Sequence, residues 1–180
     1  MNREKLCYGG AIVLLVAALI LGLWYKQPKT IREITGIAAP DDIYISIILL
    51  DENMDMEQRE LTLSAGDEGF DALMAQLDEL EFRRPPTNLL RIALPFLGDF
   101  EESSQELDDG DFQHLVISLS QPSEGGERIQ SYVNFFVSQW SYRDFEHDLT
   151  LPLAVVDGKE TGQALCAQLW DMATPTKTNP

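Results

Sequence analysis

The chain opens with one long apolar run, and shorter apolar stretches follow it. Residues 6–25, LCYGGAIVLLVAALILGLWY, contain no charged side chain. At a rise of about 1.5 Å per residue this run makes a helix of about 30 Å, which matches the hydrocarbon core of a bilayer. The pattern therefore predicts a transmembrane helix between a short polar N-terminus, residues 1–5, and a tether, residues 26–40.

The end of the apolar run distinguishes a retained anchor from a cleaved signal. A cleaved signal ends in small residues, whereas this run closes on Trp24, Tyr25 and Lys26, and aromatic rings suit the lipid–water boundary. Cleavage near Ala17 or Ala18 is the alternative. Basic residues lie on both sides and do not orient the helix. Since a long polar domain follows an N-terminal apolar segment, we expect a signal anchor with the C-terminal domain outside the cell.

The next segments combine strand and helix patterns. Asp42–Leu50 is rich in β-branched residues and Gln58–Ser64 alternates, which together predict a hairpin. Ser64 and Asp67 have capping-box spacing, and a helical period follows through Phe70, Leu73, Met74, Leu77 and Leu80. Glu81–Arg84 is a short strand candidate, stopped by the two prolines after it.

The second half begins with Asn88–Leu97, which is apolar but interrupted by Pro95 and has no assigned structure. Strands are predicted at Phe112–Ser120, Arg128–Trp140 and Asp148–Val156. Asp157 opens a second helix, and residues 174–180 form a disordered polar tail. The order β-β-α-β-β-β-β-α predicts an acidic α+β domain over residues 41–173, a mainly antiparallel sheet with two helices on one face.

Charge is distributed very unevenly along the chain. Residues 33–180 hold 29 of the 30 acidic and 8 of the 13 basic residues, a formal charge of −21. Nucleic acid is excluded as a partner, because binding it requires basic residues to neutralise phosphates. The predicted partners are membrane lipid, through residues 6–25, and a basic envelope protein. The acidity also has a simpler explanation, since it keeps an exposed domain in solution.

Two acidic segments are compared with calcium sites. Asp51–Asp55 matches the first half of an EF-hand loop, but Met56 replaces the required glycine and Thr62 the closing glutamate. Asp99–Asp111 holds seven carboxylates, which could gather around Ca²⁺ or stay solvated. The pattern leaves calcium binding by this loop open, and we predict no metal ligand and no cofactor.

The nucleophilic and basic side chains form no known catalytic motif. His114 is expected on the outer face of a strand, His147 lies among acids, and Cys166 is expected to pack inside a helix. No nucleophile elbow, zinc motif, P-loop or dinucleotide pattern is present. The sequence therefore assigns no catalytic residue, although a hydrolase of unrecognised type remains an alternative.

Arginine and aromatic side chains form two candidate binding groups. Arg83, Arg84 and Arg91 could clasp a carboxylate or phosphate, or pair with neighbours such as Glu79 and Glu81. The aromatic group could hold a sugar or peptide, or serve only as packing. Its members are Trp140, Tyr142 and Phe145.

The outline of the chain resembles small membrane- or lipid-anchored domains of unknown function in Gram-positive bacterial envelopes. The resemblance rests on the apolar anchor, the DDIYISI strand, the polar hairpin, the GDEGFDALMAQLDEL helix and the later strands ending in a helix. It covers most of the chain and implies location and architecture, with no catalytic residues. The leading hypothesis is an extracytoplasmic, non-catalytic accessory or binding domain. A membrane-tethered acidic inhibitor or immunity-like protein is the alternative.

Overall fold

A computed structural model describes residues 27–50, 56–85, 112–123, 127–137, 139–144 and 149–176, with residues 16, 20, 22, 23, 25, 87, 88 and 92. The strands are β1 (Asp42–Leu50), β2 (Met56–Ser64), β3 (Phe82–Arg83), β4 (Phe112–Pro122), β5 (Arg128–Phe136), β6 (Gln139–Asp144), β7 (Leu149–Val155) and β8 (Thr174–Pro175). The helices are α1 (Ile31–Thr35), α2 (Phe70–Asp78) and α3 (Gly158–Trp170).

The strands form one antiparallel sheet in the order β3-β7-β6-β5-β4-β1-β2-β8. The predicted α+β class with a mainly antiparallel sheet is confirmed. β1 pairs with β2 as predicted, with Asp42 opposite Ser64 and Leu50 opposite Met56. β4 lies on the other side of β1 and also pairs with β5, so β5, β4 and β1 form the middle of the sheet.

Every second residue of the central strands is apolar, and these residues point to the same side, so one face of the sheet is apolar. Ile45 of β1 lies opposite Ile117 of β4, which lies opposite Val133 of β5, and all three are fully buried. The helices cover this face and join the same core through Ile31 and Ile34, Leu73 and Leu77, and Leu165 and Leu169. The opposite face carries polar side chains such as Ser46 and Ser118.

α3 lies very close to the sheet. A Cβ atom on Gly162 would lie 2.3–2.6 Å from ring carbons of Phe135, so only glycine fits at this position. The next residue, Gln163, donates from Nε2 to the carbonyl of Phe112 (2.7 Å) and accepts from the Phe112 amide (2.8 Å). The side-chain amide of Gln163 thus extends the hydrogen bonding at the start of β4.

The predicted tether at residues 26–40 is wrong for the part that the structure describes. Lys29 pairs with Phe82 of β3, and α1 follows with a capping box between Thr30 and Glu33. Gly36, at a φ of 72°, closes the helix in the left-handed region that glycine adopts easily. The isoleucines of this segment are buried, so it belongs to the core.

The predicted strand Arg128–Trp140 is in fact a hairpin of β5 and β6. Phe136 pairs with Gln139, and Val137 has a φ of 57°. A two-residue hairpin turn needs positive φ, which normally selects Asn, Asp or Gly. Because a β-branched valine stands there instead, the apolar pattern runs through the turn and hides it.

Two element ends also differ from the prediction. α2 begins at Phe70, and the Asp67 carboxylate accepts from the Ser64 amide (2.7 Å) ahead of the helix. The predicted disordered tail begins too early, because Thr174 and Pro175 pair with β2 and the Thr176 amide donates to Gln58 O (2.9 Å).

The predicted membrane helix at residues 6–25 lies mostly outside the described residues. Val16, Ile20, Gly22, Leu23 and Tyr25 are helical. Within the described part of the chain, no helix combines the length and the apolar character that crossing a bilayer requires.

Candidate functional site

A cleft of about 590 Å³ opens between α1 and the ends of β5 and β6. Its other walls come from Tyr25, a helical residue that precedes the domain, and from the segment after β3. The lining combines charged and polar side chains with apolar ones: Glu33, Thr35, Arg84, Gln130, Ser131 and Arg143 with Tyr25, Ile34, Ile92, Ile129 and Tyr142. Small-molecule sites have this size and mixture.

α1 forms a rigid wall of the cleft. Ile34 is 4% exposed and anchors the helix in the core, while Arg32 donates from Nε to the Asp78 carboxylate of α2 (2.8 Å). Glu33 Oε2 accepts from the Thr30 amide at 2.9 Å and so completes the helix cap. The capping bond fixes the Glu33 carboxylate at the N-terminus of α1.

Arg84 enters the cleft from the end of β3. Strand residues alternate in direction, so Arg83 is exposed while Phe82 is buried against Trp140. The guanidinium carbon of Arg84 lies 5.2 Å from the ring centroid of Tyr142. Its Nε is buried and finds no acceptor among the described residues. A buried donor without a partner is uncommon in proteins, and it shows that the fold leaves the hydrogen-bonding capacity of the Arg84 guanidinium partly unused.

Arg143 of β6 is the second arginine of the cleft lining. It is partly buried, and its Nη1 donates to Thr150 Oγ1 of β7 at 3.2 Å. The neighbouring Tyr142 is 6% exposed and carries the Arg84 stack. The Tyr142 ring therefore positions Arg84, and the cross-strand hydrogen bond to Thr150 positions Arg143, before any ligand arrives.

The charges of the cleft favour an anionic group. The lining includes two arginines and one glutamate, and the Glu33 carboxylate is already hydrogen-bonded within α1. Arginine binds carboxylate and phosphate oxygens through paired N–H groups. The isoleucines and tyrosines around them would contact an apolar part of the same ligand.

The structure places the predicted arginines differently. Arg84 lines the cleft, Arg83 is exposed on the sheet edge, and Arg91 lies outside the described residues. In the described part of the chain no ion pair joins Arg84 to Glu79 or Glu81. Sequence reasoning missed Arg143, because nothing in the strand pattern marks it as lining the same cleft as Arg84.

The predicted aromatic group is divided between the core and the cleft. Trp140 is 2% exposed, packs on Phe82 and Phe135, and donates from Nε1 to the Gly158 carbonyl at 2.9 Å. Tyr142 lines the cleft, and Phe145 lies outside the described residues.

The remaining sequence candidates do not meet at a site. His114 lies on the polar face of the sheet, edge-on to Phe136 at 5.7 Å. Cys166 is fully buried, and burial raises the pKa of its thiol from 9.0 to about 12, as expected for a packing residue. Among the described residues no three potential metal ligands cluster. His147, Asp51–Asp55 and Asp99–Asp111 lie outside those residues.

Comparisons with known proteins leave the fold and the cleft as the basis for a functional assignment. No protein-family model matches the sequence, and the searches of curated proteins and of solved structures give no match.

Proposed function

We propose that the chain is a single-pass membrane protein that displays a non-catalytic accessory or binding domain outside the cell. In this proposal residues 6–25 form the membrane helix, and the α+β domain holds a ligand in the cleft between α1, β5 and β6. The cleft is the observation that carries the binding role, because it combines two positioned arginines with an apolar lining.

Side-chain exposure before the domain supports the anchor. Val16, Ile20 and Leu23 are helical and are 47%, 60% and 69% exposed, whereas Tyr25 is 8% exposed. Several large apolar side chains exposed along one helix are typical of an interaction surface, and lipid is the partner proposed here. The resemblance to anchored envelope domains of Gram-positive bacteria fits the same placement.

Protease treatment of intact cells tests the location. With an epitope after Pro180, external protease should remove the tag from intact cells while a cytoplasmic reporter survives. Protection of the tag until lysis would place the domain inside and overturn the extracytoplasmic assignment. Recovery of a chain trimmed near Ala18 from the culture fluid would overturn the anchor.

A charge substitution tests the anchor itself. Ile20→Glu with Leu23→Glu should move the chain from the membrane pellet to the carbonate supernatant, because carboxylates are strongly disfavoured in hydrocarbon. Val156→Glu is the matched control, since Val156 is 63% exposed on the folded domain. Equal behaviour of both variants would contradict the membrane role of the N-terminal helix.

A further inference from the structure

We infer that the cleft binds an anionic group, a carboxylate or a phosphate, carried on an apolar body. This inference rests on the proposed binding role and specifies its ligand. The charged part of the ligand meets Arg84, and the apolar part meets the isoleucines of the cleft.

Arg84 carries a donor that no described residue satisfies. Its Nε is buried and lacks an acceptor among the described residues, and its guanidinium stacks on Tyr142. Arg32, Arg59 and Arg128, in contrast, each donate to a carboxylate. Arg84 therefore has hydrogen-bonding capacity that a ligand oxygen would satisfy, and stacking holds the guanidinium plane in place for it.

The chain carries a large net negative charge, which limits how an anion can be held. A formal charge of −17 for the chain repels anions at long range, so general electrostatic attraction cannot hold one here. Binding must come from short, oriented hydrogen bonds inside the cleft, where water competes less. Ionic strength should accordingly affect this site less than it affects binding to an open basic patch.

The apolar part of the cleft lining determines the body of the ligand. Ile129 is 46% exposed at the mouth of the cleft, while Ile34 and Tyr25 are 4% and 8% exposed deeper in its wall. An apolar group lying over Ile129 would bury surface that the fold leaves in water. The ligand is therefore an amphiphile, and inorganic phosphate alone should bind much more weakly.

Two sources supply this chemistry. Tyr25 lines the cleft only two positions after Leu23, which is 69% exposed. If the preceding helix lies in lipid, the cleft is close to the headgroups, and the phosphate of an anionic phospholipid could reach it. A small soluble alkyl phosphate or carboxylate satisfies the same contacts.

Calorimetric titration of the full chain tests the site. The chain is placed in phosphatidylcholine nanodiscs at about 0.15 M salt and titrated with butyl phosphate, with empty discs as the blank. Butyl phosphate should bind, inorganic phosphate should bind at least about tenfold more weakly, and butyltrimethylammonium should not bind. Absence of butyl phosphate binding would overturn the inference.

Adjacent arginines provide the matched variants. Arg84→Gln should weaken butyl phosphate binding about 10- to 100-fold, because it removes a charge-assisted contact. Arg83→Gln makes the same change in charge one residue away on the exposed side and should change affinity less than about twofold. Arg84→Lys should recover only part of the affinity, since lysine lacks the fork and the planar stack. If the Arg84 and Arg83 variants lose equal affinity for butyl phosphate, the anion is attracted by the general charge of the surface. That result would contradict a specific site at Arg84.

Nanodisc composition distinguishes the two sources. If a phospholipid is the ligand, phosphatidylglycerol discs should compete with butyl phosphate for the wild-type chain, which assigns the anion to lipid. Unchanged affinity assigns it to a soluble molecule. The outcome of the cell-surface proteolysis does not depend on these titrations. A wrong location can therefore be distinguished from a wrong ligand.

Discussion

At the α3 end of the helical layer there is no room for one more methyl group beside Phe135, whereas at the α1 end the same layer leaves a cleft of about 590 Å³. The tight end pairs its polar atoms, as Gln163 does with Phe112. The open end leaves the Nε of Arg84 without an acceptor among the described residues. The contrast suggests that α3 secures the fold and that α1 shapes a surface for binding.

The largest effect is expected at Gly162. Gly162→Ala should destabilise the fold by about 3 kcal/mol, because the new Cβ overlaps the Phe135 ring and the helix must move away. Gly158→Ala is the control, since its Cβ would make an ordinary 3.5 Å contact with Trp140. Urea unfolding followed by tryptophan fluorescence measures the stability of both variants. Similar stabilities would mean that α3 and the Phe135 ring can move apart at little cost.

Cys166 should make the tight end sensitive to alkali. Burial raises the pKa of its thiol to about 12, so the folded state keeps the proton that the unfolded state releases above 9.0. This contribution to stability is complete below pH 9.0 and falls as the pH rises towards 12, by about 2 kcal/mol at about pH 10.5.

Comparison with Cys166→Ala isolates the thiol. The pKa of Tyr44 is also raised, mainly by burial and then by Glu60, so part of the alkaline loss has another origin. The variant keeps the tyrosine and should lose less stability than the wild type between neutral and alkaline pH. Parallel pH profiles of unfolding would contradict the role of Cys166.

The hydrogen bonds of Gln163 are expected to contribute less to the stability of the fold than the close packing at Gly162. Gln163→Leu should lower stability by about 1–2 kcal/mol, because the amide and the carbonyl of Phe112 both lose their partner. Gln76→Leu is a suitable control, since among the described residues the Gln76 side chain pairs with the exposed Gln168 side chain alone. A loss no larger than that of the control would mean that water replaces the contact at Phe112.

At the open end the stability effect should be smallest. Arg84→Gln should change the free energy of unfolding by less than about 0.5 kcal/mol, because the lost stack on Tyr142 is offset by removal of a buried Nε that has no acceptor among the described residues. Arg59→Gln should cost about 1 kcal/mol, since Arg59 stacks on Trp170 and donates to the Trp170 carbonyl (3.1 Å). A large loss in the Arg84 variant would make the cleft a structural element.

The sequence pattern predicts most of the sheet, because alternation in β1 and β4 fixes which side chains point into the core. It fails at Val137, where a valine occupies a turn position that normally needs another residue. It also misses α1, although Thr30, Glu33 and Gly36 carry the cap signals of a helix. The helix has only five residues, so its apolar period is too short to stand out.

The candidate site is predictable only in part. Arg84 stands out as one of several basic residues in an acidic domain, but Arg143, which lines the same cleft, comes from a strand about sixty positions later. Their place on one cleft depends on β3, β7 and β6 lying side by side, which follows from the order of strands in the sheet. Local patterns do not encode that order, so the cleft becomes visible only in three dimensions.

The bridge between Lys29 and Phe82 has a mechanical consequence. Two backbone hydrogen bonds, of 2.8 and 2.9 Å, attach this segment to the edge strand β3. A pull on the N-terminus would load these two bonds before the long central pairings of the sheet. The first event under tension should therefore be the peeling of residues 27–30 from the edge, which lengthens the link to the domain while the eight-stranded sheet stays intact.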